Sequence, residues 1–307
     1  MKPCWQKLGV LYQPHSEGRH AKLATHAANP LACHLVDDIY RVFYSARDSM
    51  NRSSVGAVDI DIVRRKVTED HPQPFFEHGP PGSFYADGVS IGNCYTADNV
   101  TYMLFMGWQS PNDAHWRGEV GRLIVNPDLS LRCAEGTPFM TLDTTDRLSL
   151  SYPWVIGNDI DGFQMWYGST VSWDAGNGEM LHVINGASSK DGENWTRTGP
   201  AVPYRVGVAQ AFSRPTVLPN PAGGYDMWFS YRSGTGEKYR IGYAFSADGI
   251  EWKLELQNSG ITVSDDGWDS EMIEYPFVLD HAGQRYMLYN GNGFGKTGFG
   301  LAIQTGG

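Results

Sequence analysis

Apolar and polar positions along this chain fall into short alternating runs, and one phrase recurs: an apolar run, often led by proline, then a polar gap, then an aromatic-rich run. The leads are Asn29-Pro30-Leu31, Val89-Ser90-Ile91, Tyr152-Pro153-Trp154, Arg214-Pro215-Thr216 and Tyr275-Pro276-Phe277, so positions 30, 90, 153, 215 and 276 are spaced by 60, 63, 62 and 61 residues. A second run follows each lead at 40–45, 102–107, 163–168, 225–230 and 285–290, and a third at 54–59, 119–125, 180–188, 239–246 and 298–303. Period-two alternation without a helical period predicts strands. Two units end in Ser189-Lys190-Asp191-Gly192-Glu193-Asn194-Trp195 and Ser246-Ala247-Asp248-Gly249-Ile250-Glu251-Trp252, where Asp-Gly before an aromatic strand predicts a tight hairpin. Five such units predict an all-β, five-bladed β-propeller with blades of three to four antiparallel strands. It is read as a single domain over 1–307, with segment 8–13 supplying an outer strand that closes the last blade.

In an up-and-down blade, the start of the first strand, the end of the second and the start of the third share one face. That face collects Asn29, Asp87, Tyr152, Arg214 and 269–274 from first-strand starts. Second-strand ends add Arg47, Asp48, Trp108, Tyr167, Ser169, Tyr231, Arg232, Asn290 and Asn292. Third-strand starts add Asn51, Arg52, Ser53, Lys296 and Thr297. Carboxylates, guanidiniums, carboxamides and aromatic rings together suit a sugar, with planar groups for hydroxyls and rings for stacking.

The formal net charge is −10, which disfavours nucleic acid and anionic membranes as partners. Against that background Arg47, Arg52, Arg214, Arg232 and Lys296 on one face suggest an anionic group on the ligand, since the guanidinium fork matches carboxylate or phosphate. Cys4, Cys33, Cys94 and Cys133 show no metal-like spacing and read as free thiols. The N-terminus has no apolar leader run and no stretch reaches a membrane span, so a cytoplasmic location is expected. His15, His20, His26 and His34 fit no ligand motif, and the glycines of 291–300 precede a strand rather than a helix. No metal or other cofactor is expected.

Three strings carry a resemblance: Tyr44-Ser45-Ala46-Arg47-Asp48-Ser49-Met50-Asn51-Arg52-Ser53, Gly267-Trp268-Asp269-Ser270-Glu271-Met272 and Tyr289-Asn290-Gly291-Asn292-Gly293-Phe294-Gly295-Lys296-Thr297-Gly298-Phe299-Gly300. With them the chain resembles the five-bladed propeller glycoside hydrolases of the arabinanase, levansucrase and invertase type, families 43, 32 and 130. It is most similar to hydrolase-like propellers encoded among bacterial surface-polysaccharide genes. The resemblance spans essentially the whole chain and implies action on a carbohydrate.

The family 43 acids do not carry over. Their general-base Asp precedes a proline in the first blade, where this chain has Asn29-Pro30, and a carboxamide is no proton acceptor at neutral pH. The second-blade acid falls near Val89 and the third meets Ser151-Tyr152-Pro153. Asp87, Asp269, Glu271 and Glu274 remain. On a regular strand Glu271 and Glu274 point to opposite faces, and Glu271 lies in the family-like string, so the expected catalytic pair is Asp87 and Glu271. The expected substrate-binding set is Arg47, Asp48, Asn51, Arg52, Trp108, Tyr152, Tyr167, Arg214, Tyr231, Arg232, Asp269, Asn290, Asn292 and Lys296. Three functions stay open: a glycoside hydrolase-like enzyme on an acidic or decorated glycan, a glycosyltransferase-like enzyme using a nucleotide sugar or sugar phosphate, and a non-catalytic carbohydrate-binding propeller.

Overall fold

The computed structural model describes residues 3–112 and 114–305. Strand β1 (Trp5–Tyr12) comes first. Four-stranded antiparallel meanders follow. The first holds β2 (Thr25–Val36), β3 (Ile39–Arg47), β4 (Ser53–Asp61) and β5 (Lys66–Phe76); the second holds β6 (Gly88–Ala97), β7 (Val100–Gln109), β8 (Arg117–Val125) and β9 (Leu131–Cys133). The third is β10 (Leu150–Asn158), β11 (Gly162–Ser172), β12 (Leu181–Ser189) and β13 (Trp195–Pro200). The fourth is β14 (Ser213–Pro219), β15 (Tyr225–Tyr231), β16 (Arg240–Ser246) and β17 (Trp252–Leu254). The last, β18 (Glu274–His281), β19 (Gln284–Asn290) and β20 (Phe299–Gln304), takes β1 as its outer strand. The first two meanders join through one parallel bridge, Ser53 to Gly88. The chain is therefore an all-β propeller whose blades are these meanders. No helix among the described residues is long and apolar enough to cross a membrane.

Proline explains how the innermost strands are built. In blades 1, 3, 4 and 5 the ladder skips two residues: Asn29-Pro30, Tyr152-Pro153, Arg214-Pro215 and Tyr275-Pro276. The first of each pair has a left-handed backbone, with φ of 55, 37, 49 and 53°. Proline has no N–H, so leaving the ladder there orphans no donor. The second blade uses another device. Its skipped pair is Gly92-Asn93, three residues beyond the lead expected at 90. A Cβ on Gly92 would lie 2.4 Å from the Pro153 carbonyl oxygen. Asn93 exchanges two hydrogen bonds with Val155 of the next blade, at 2.9 and 3.0 Å.

The bulges leave carbonyls without ladder partners, and Arg214 collects them. It donates to the oxygens of Tyr275 (2.9 Å), Pro276 (3.1 Å) and Pro30 (2.7 Å), tying blades 4, 5 and 1 at the axis. At the opposite ends the two Asp-Gly turns are built alike: Asp191 and Asp248 each accept from two backbone N–H groups. Trp195 and Trp252 close these turns by donating to the carbonyls of Gly192 and Gly249. Between blades the core is aromatic, with Trp166 on Trp252 and Trp5 on Trp228 at 5.6 Å, edge to face.

Candidate functional site

An axial cavity of about 420 Å³ opens where the innermost strands begin, and all five blades contribute to its wall. Arg47 and Asn51 come from the first blade, Ser90, Trp108 and Trp116 from the second, and Ser151, Tyr152 and His182 from the third. Ser213, Arg232 and Tyr239 come from the fourth, and Tyr275 and Phe294 from the fifth. A larger hollow, about 830 Å³, lies between blades 3 and 4 at the opposite end. Its Asp191 carboxylate is engaged by its own turn, which leaves the axial cavity as the place where uncommitted polar groups converge.

Five of the expected binding residues line the cavity: Arg47, Asn51, Trp108, Tyr152 and Arg232. Arg47 donates to Asn51 Oδ1 at 2.7 Å. Arg232 pairs with Glu179 at 2.7 Å and covers the Tyr239 ring at 4.7 Å. Among the described residues these two arginines are the charged groups of the wall, and none of those lining it is a carboxylate.

The remaining expected residues lie elsewhere, most of them held by local structure. Asp48 braces its own loop, accepting from the backbone N–H of Met50 and Arg52 and from the Arg52 guanidinium, all at 2.9 Å. These bonds hold its carboxyl below the usual range against the opposing effect of burial. Buried Tyr167 donates to Asp146 at 2.8 Å. Arg214 is the axial tie described above, with 1% of its surface exposed. Tyr231 is half-buried outside the cavity wall. Asp269 is buried between Tyr289 (3.0 Å) and Lys7 (2.7 Å). Asn290 clamps Asn29 N–H and the carbonyls of Ala27 and Gly298. Asn292 accepts from the Glu271 N–H at 2.8 Å, and Lys296 is exposed outside the wall.

The expected catalytic pair also lies outside. Asp87 accepts from the Ser110 N–H at 2.6 Å and borders a shallow surface hollow. The Glu271 side chain is 57% exposed and paired with Lys238. The alternation argument that chose Glu271 over Glu274 assumed a regular strand between them, yet β18 begins at Glu274 and 271–273 are not in a strand.

Glu274 is the group that reasoning passed over. It has no exposed surface, and neither carboxyl oxygen has a hydrogen-bond partner among the described residues. It occupies the position before the bulge in blade 5, as Ala28 and Ser213 do in blades 1 and 4, and both of those line the cavity. Burial pushes its pKa well above the usual carboxylate range, against the opposing pull of Arg232 and Arg47. Its charge in turn acts on Tyr152, Tyr239 and Tyr275 of the wall, whose phenols burial already raises. Burial in this setting favours the neutral carboxyl, the form able to donate a proton.

A further acidic group, Asp59, Glu69 and His71, lies on β4 and β5 of blade 1, away from the cavity. Arg41 already engages both oxygens of Asp59 at 2.8 and 2.9 Å, which supplies the positive charge there.

Comparison with known proteins matches this geometry to a fold. The structure superposes on a "Glycoside hydrolase" with TM-score 0.75 and 13% identity, covering 100% of this chain and 93% of that one. A structure described under "The GH130 family of mannoside phosphorylases contains glycoside hydrolases that target beta-1,2 mannosidic linkages in Candida mannan" gives TM-score 0.72 and 12% identity, covering 99% and 94%. The endo-arabinase of Bacteroides thetaiotaomicron VPI-5482 gives 0.62 and 13%, covering 94% and 97%. At these identities the likeness establishes the propeller fold. No protein-family profile matches the chain. In sequence it is 40% identical over 301 residues to "Uncharacterized protein Rv1502" of Mycobacterium tuberculosis (strain ATCC 25618 / H37Rv), covering 97% of this chain and 98% of that protein. The chain thus belongs to the family of that mycobacterial protein and carries the propeller of the glycoside hydrolases.

Proposed function

We propose that the axial cavity binds a carbohydrate bearing an anionic group, and that the chain acts on its glycosidic bond as a glycoside hydrolase-like enzyme. Glu274 is the observation that carries this reading. A buried carboxyl held toward its neutral form beside a cavity of sugar size supplies what departure of a glycosidic oxygen needs, a proton delivered in the transition state. Arg47, bonded among the described residues to the neutral Asn51, and Arg232, shared with Glu179, give the wall a positive character. That character suits a carboxylate or phosphate on the sugar. Tyr152, Trp108 and Trp116 offer rings for stacking. Acidic glycans of bacterial surface polysaccharides meet these requirements.

A transfer reaction, in which another sugar's hydroxyl replaces water, uses the same acid. Among the described residues lining the cavity there is no carboxylate to activate water. The test is to incubate the protein with acidic oligosaccharides, with and without acceptor sugars, and follow products by mass. Turnover is expected, and Glu274→Gln should lower it by about 10²–10⁴-fold, the usual worth of a general acid. Full activity in that variant would remove Glu274 from the chemistry. Tight sugar binding without any turnover would leave a carbohydrate-binding propeller.

A further inference from the structure

One polar chain facing the cavity has no part in that reading. Ser151 Oγ lies 2.7 Å from His182 Nε2, and His182 Nδ1 lies 2.7 Å from Thr170 Oγ1. The three residues come from β10, β12 and β11 of one blade. Between them sits Gly168, where a Cβ would fall 2.2 Å from Ser151 Oγ and 2.4 Å from His182 Nε2. Any larger residue would part the serine from the histidine. Ser151 and His182 both line the cavity. Ser151 also holds in blade 3 the position that Glu274 holds in blade 5, immediately before the bulge. The residues that follow them, Tyr152 and Tyr275, meet with ring centroids 5.4 Å apart, so the two positions border the same axial space.

We propose that Ser151 and His182 form the base side of the glycosidic reaction, with Ser151 Oγ taking the proton of the attacking hydroxyl and passing its own to His182 Nε2. This rests on the assignment of Glu274 as the acid. Both partners of the ring are hydroxyls, and the base role takes the tautomer in which Nδ1–H donates to Thr170 and Nε2 accepts from Ser151. Burial, reinforced by the charge of Arg232, lowers the histidine's pKa to about 4, so the ring is neutral at neutral pH, while burial favours the protonated form of Glu274. The two groups are displaced in opposite directions, the pattern by which an acid and a base are told apart. Around the imidazole stand Ser151, Thr170, the Trp116 ring at 6.2 Å and Arg232, the last paired with Glu179.

The step balances. Water or an acceptor hydroxyl bonds to the anomeric carbon as the bond to the leaving oxygen breaks. The leaving oxygen takes the Glu274 proton, the attacking oxygen's proton goes to Ser151, and the original serine proton goes to His182. Solvent then returns one proton from the imidazolium to the carboxylate. Direct attack inverts the anomeric centre.

Two measurements test this. Nitrogen NMR of histidine-labelled protein should show His182 neutral at neutral pH, with an unprotonated Nε2 whose resonance moves in Ser151→Ala. A protonated Nε2 would overturn the assignment whatever the substrate. Dinitrophenyl glycosides, whose leaving group needs no acid, give the second. Glu274→Gln should lose much less on them than on glycosides with unactivated leaving groups, whereas His182→Gln should lose about 10²–10⁴-fold on both and lose the acid limb of the pH profile. Free imidazole should restore part of that rate. A His182→Gln protein with undiminished rate would sink the base role alone. A wild-type protein inert on the whole series would remove the glycosidic reading, and this proposal with it.

Discussion

Burial moves Glu274 and His182 in opposite directions, and each displacement has a stability consequence measurable without substrate. Glu274 has a folded pKa raised above its unfolded value. Its contribution is complete below the unfolded carboxyl's pKa of about 4.3 and is lost as pH rises through the folded pKa. Glu274→Gln should therefore gain in Tm relative to the wild type as pH rises, the gap widening from mildly acidic to alkaline buffer. His182 runs the other way. With a folded pKa of about 4, its contribution is present above about pH 6.5 and is lost as pH falls toward the folded value, roughly 3 kcal/mol in all. His182→Gln should lack that part of the acid loss in a Tm-against-pH series. Identical pH dependence in variant and wild type would mean that the group is solvated.

At the scale of strands, the bulges decide where side chains point. The recurring X-Pro phrase made four of them legible, because proline's missing N–H marks where a ladder can be left. The second blade was misplaced by three residues since Gly92-Asn93 does the same task without proline. Glu274-Tyr275-Pro276 repeats the phrase Ser151-Tyr152-Pro153, so the ring position of Glu274 was present in the sequence. It was hidden by treating 271–273 as strand. The role of Arg214 was not legible, because nothing in sequence says that its partners are bulge carbonyls rather than a ligand. Removing it should be severe: Arg214→Met strands the carbonyls of Tyr275, Pro276 and Pro30, and about 3 kcal/mol or more of stability should go. Urea unfolding followed by tryptophan fluorescence reads this. An unchanged midpoint would show that the axis does not depend on that tie.

For the molecule as a whole, closure of the ring is the condition for any axial site. β1 pairs with β20 from Trp5 opposite Gln304 to Tyr12 opposite Phe299, and Tyr12 packs on Phe299 at 5.6 Å. Deleting the residues before Gln13 should leave β20 an open edge, lower the melting temperature by many degrees and promote aggregation in size-exclusion chromatography. A truncated protein that melted like the full chain would show that the last blade needs no outer strand. Closure also explains how cations gather in a chain of net charge −10: Arg47 and Arg232 lie far apart in sequence but on one wall. A crystal soaked with a mixture of neutral and acidic oligosaccharides tests the axial site most directly. The expected density is a sugar in the axial cavity, its anionic group on Arg47 and its glycosidic oxygen within hydrogen-bond reach of Glu274. Sugar bound only in the hollow between blades 3 and 4, with the axial cavity holding solvent alone, would contradict it.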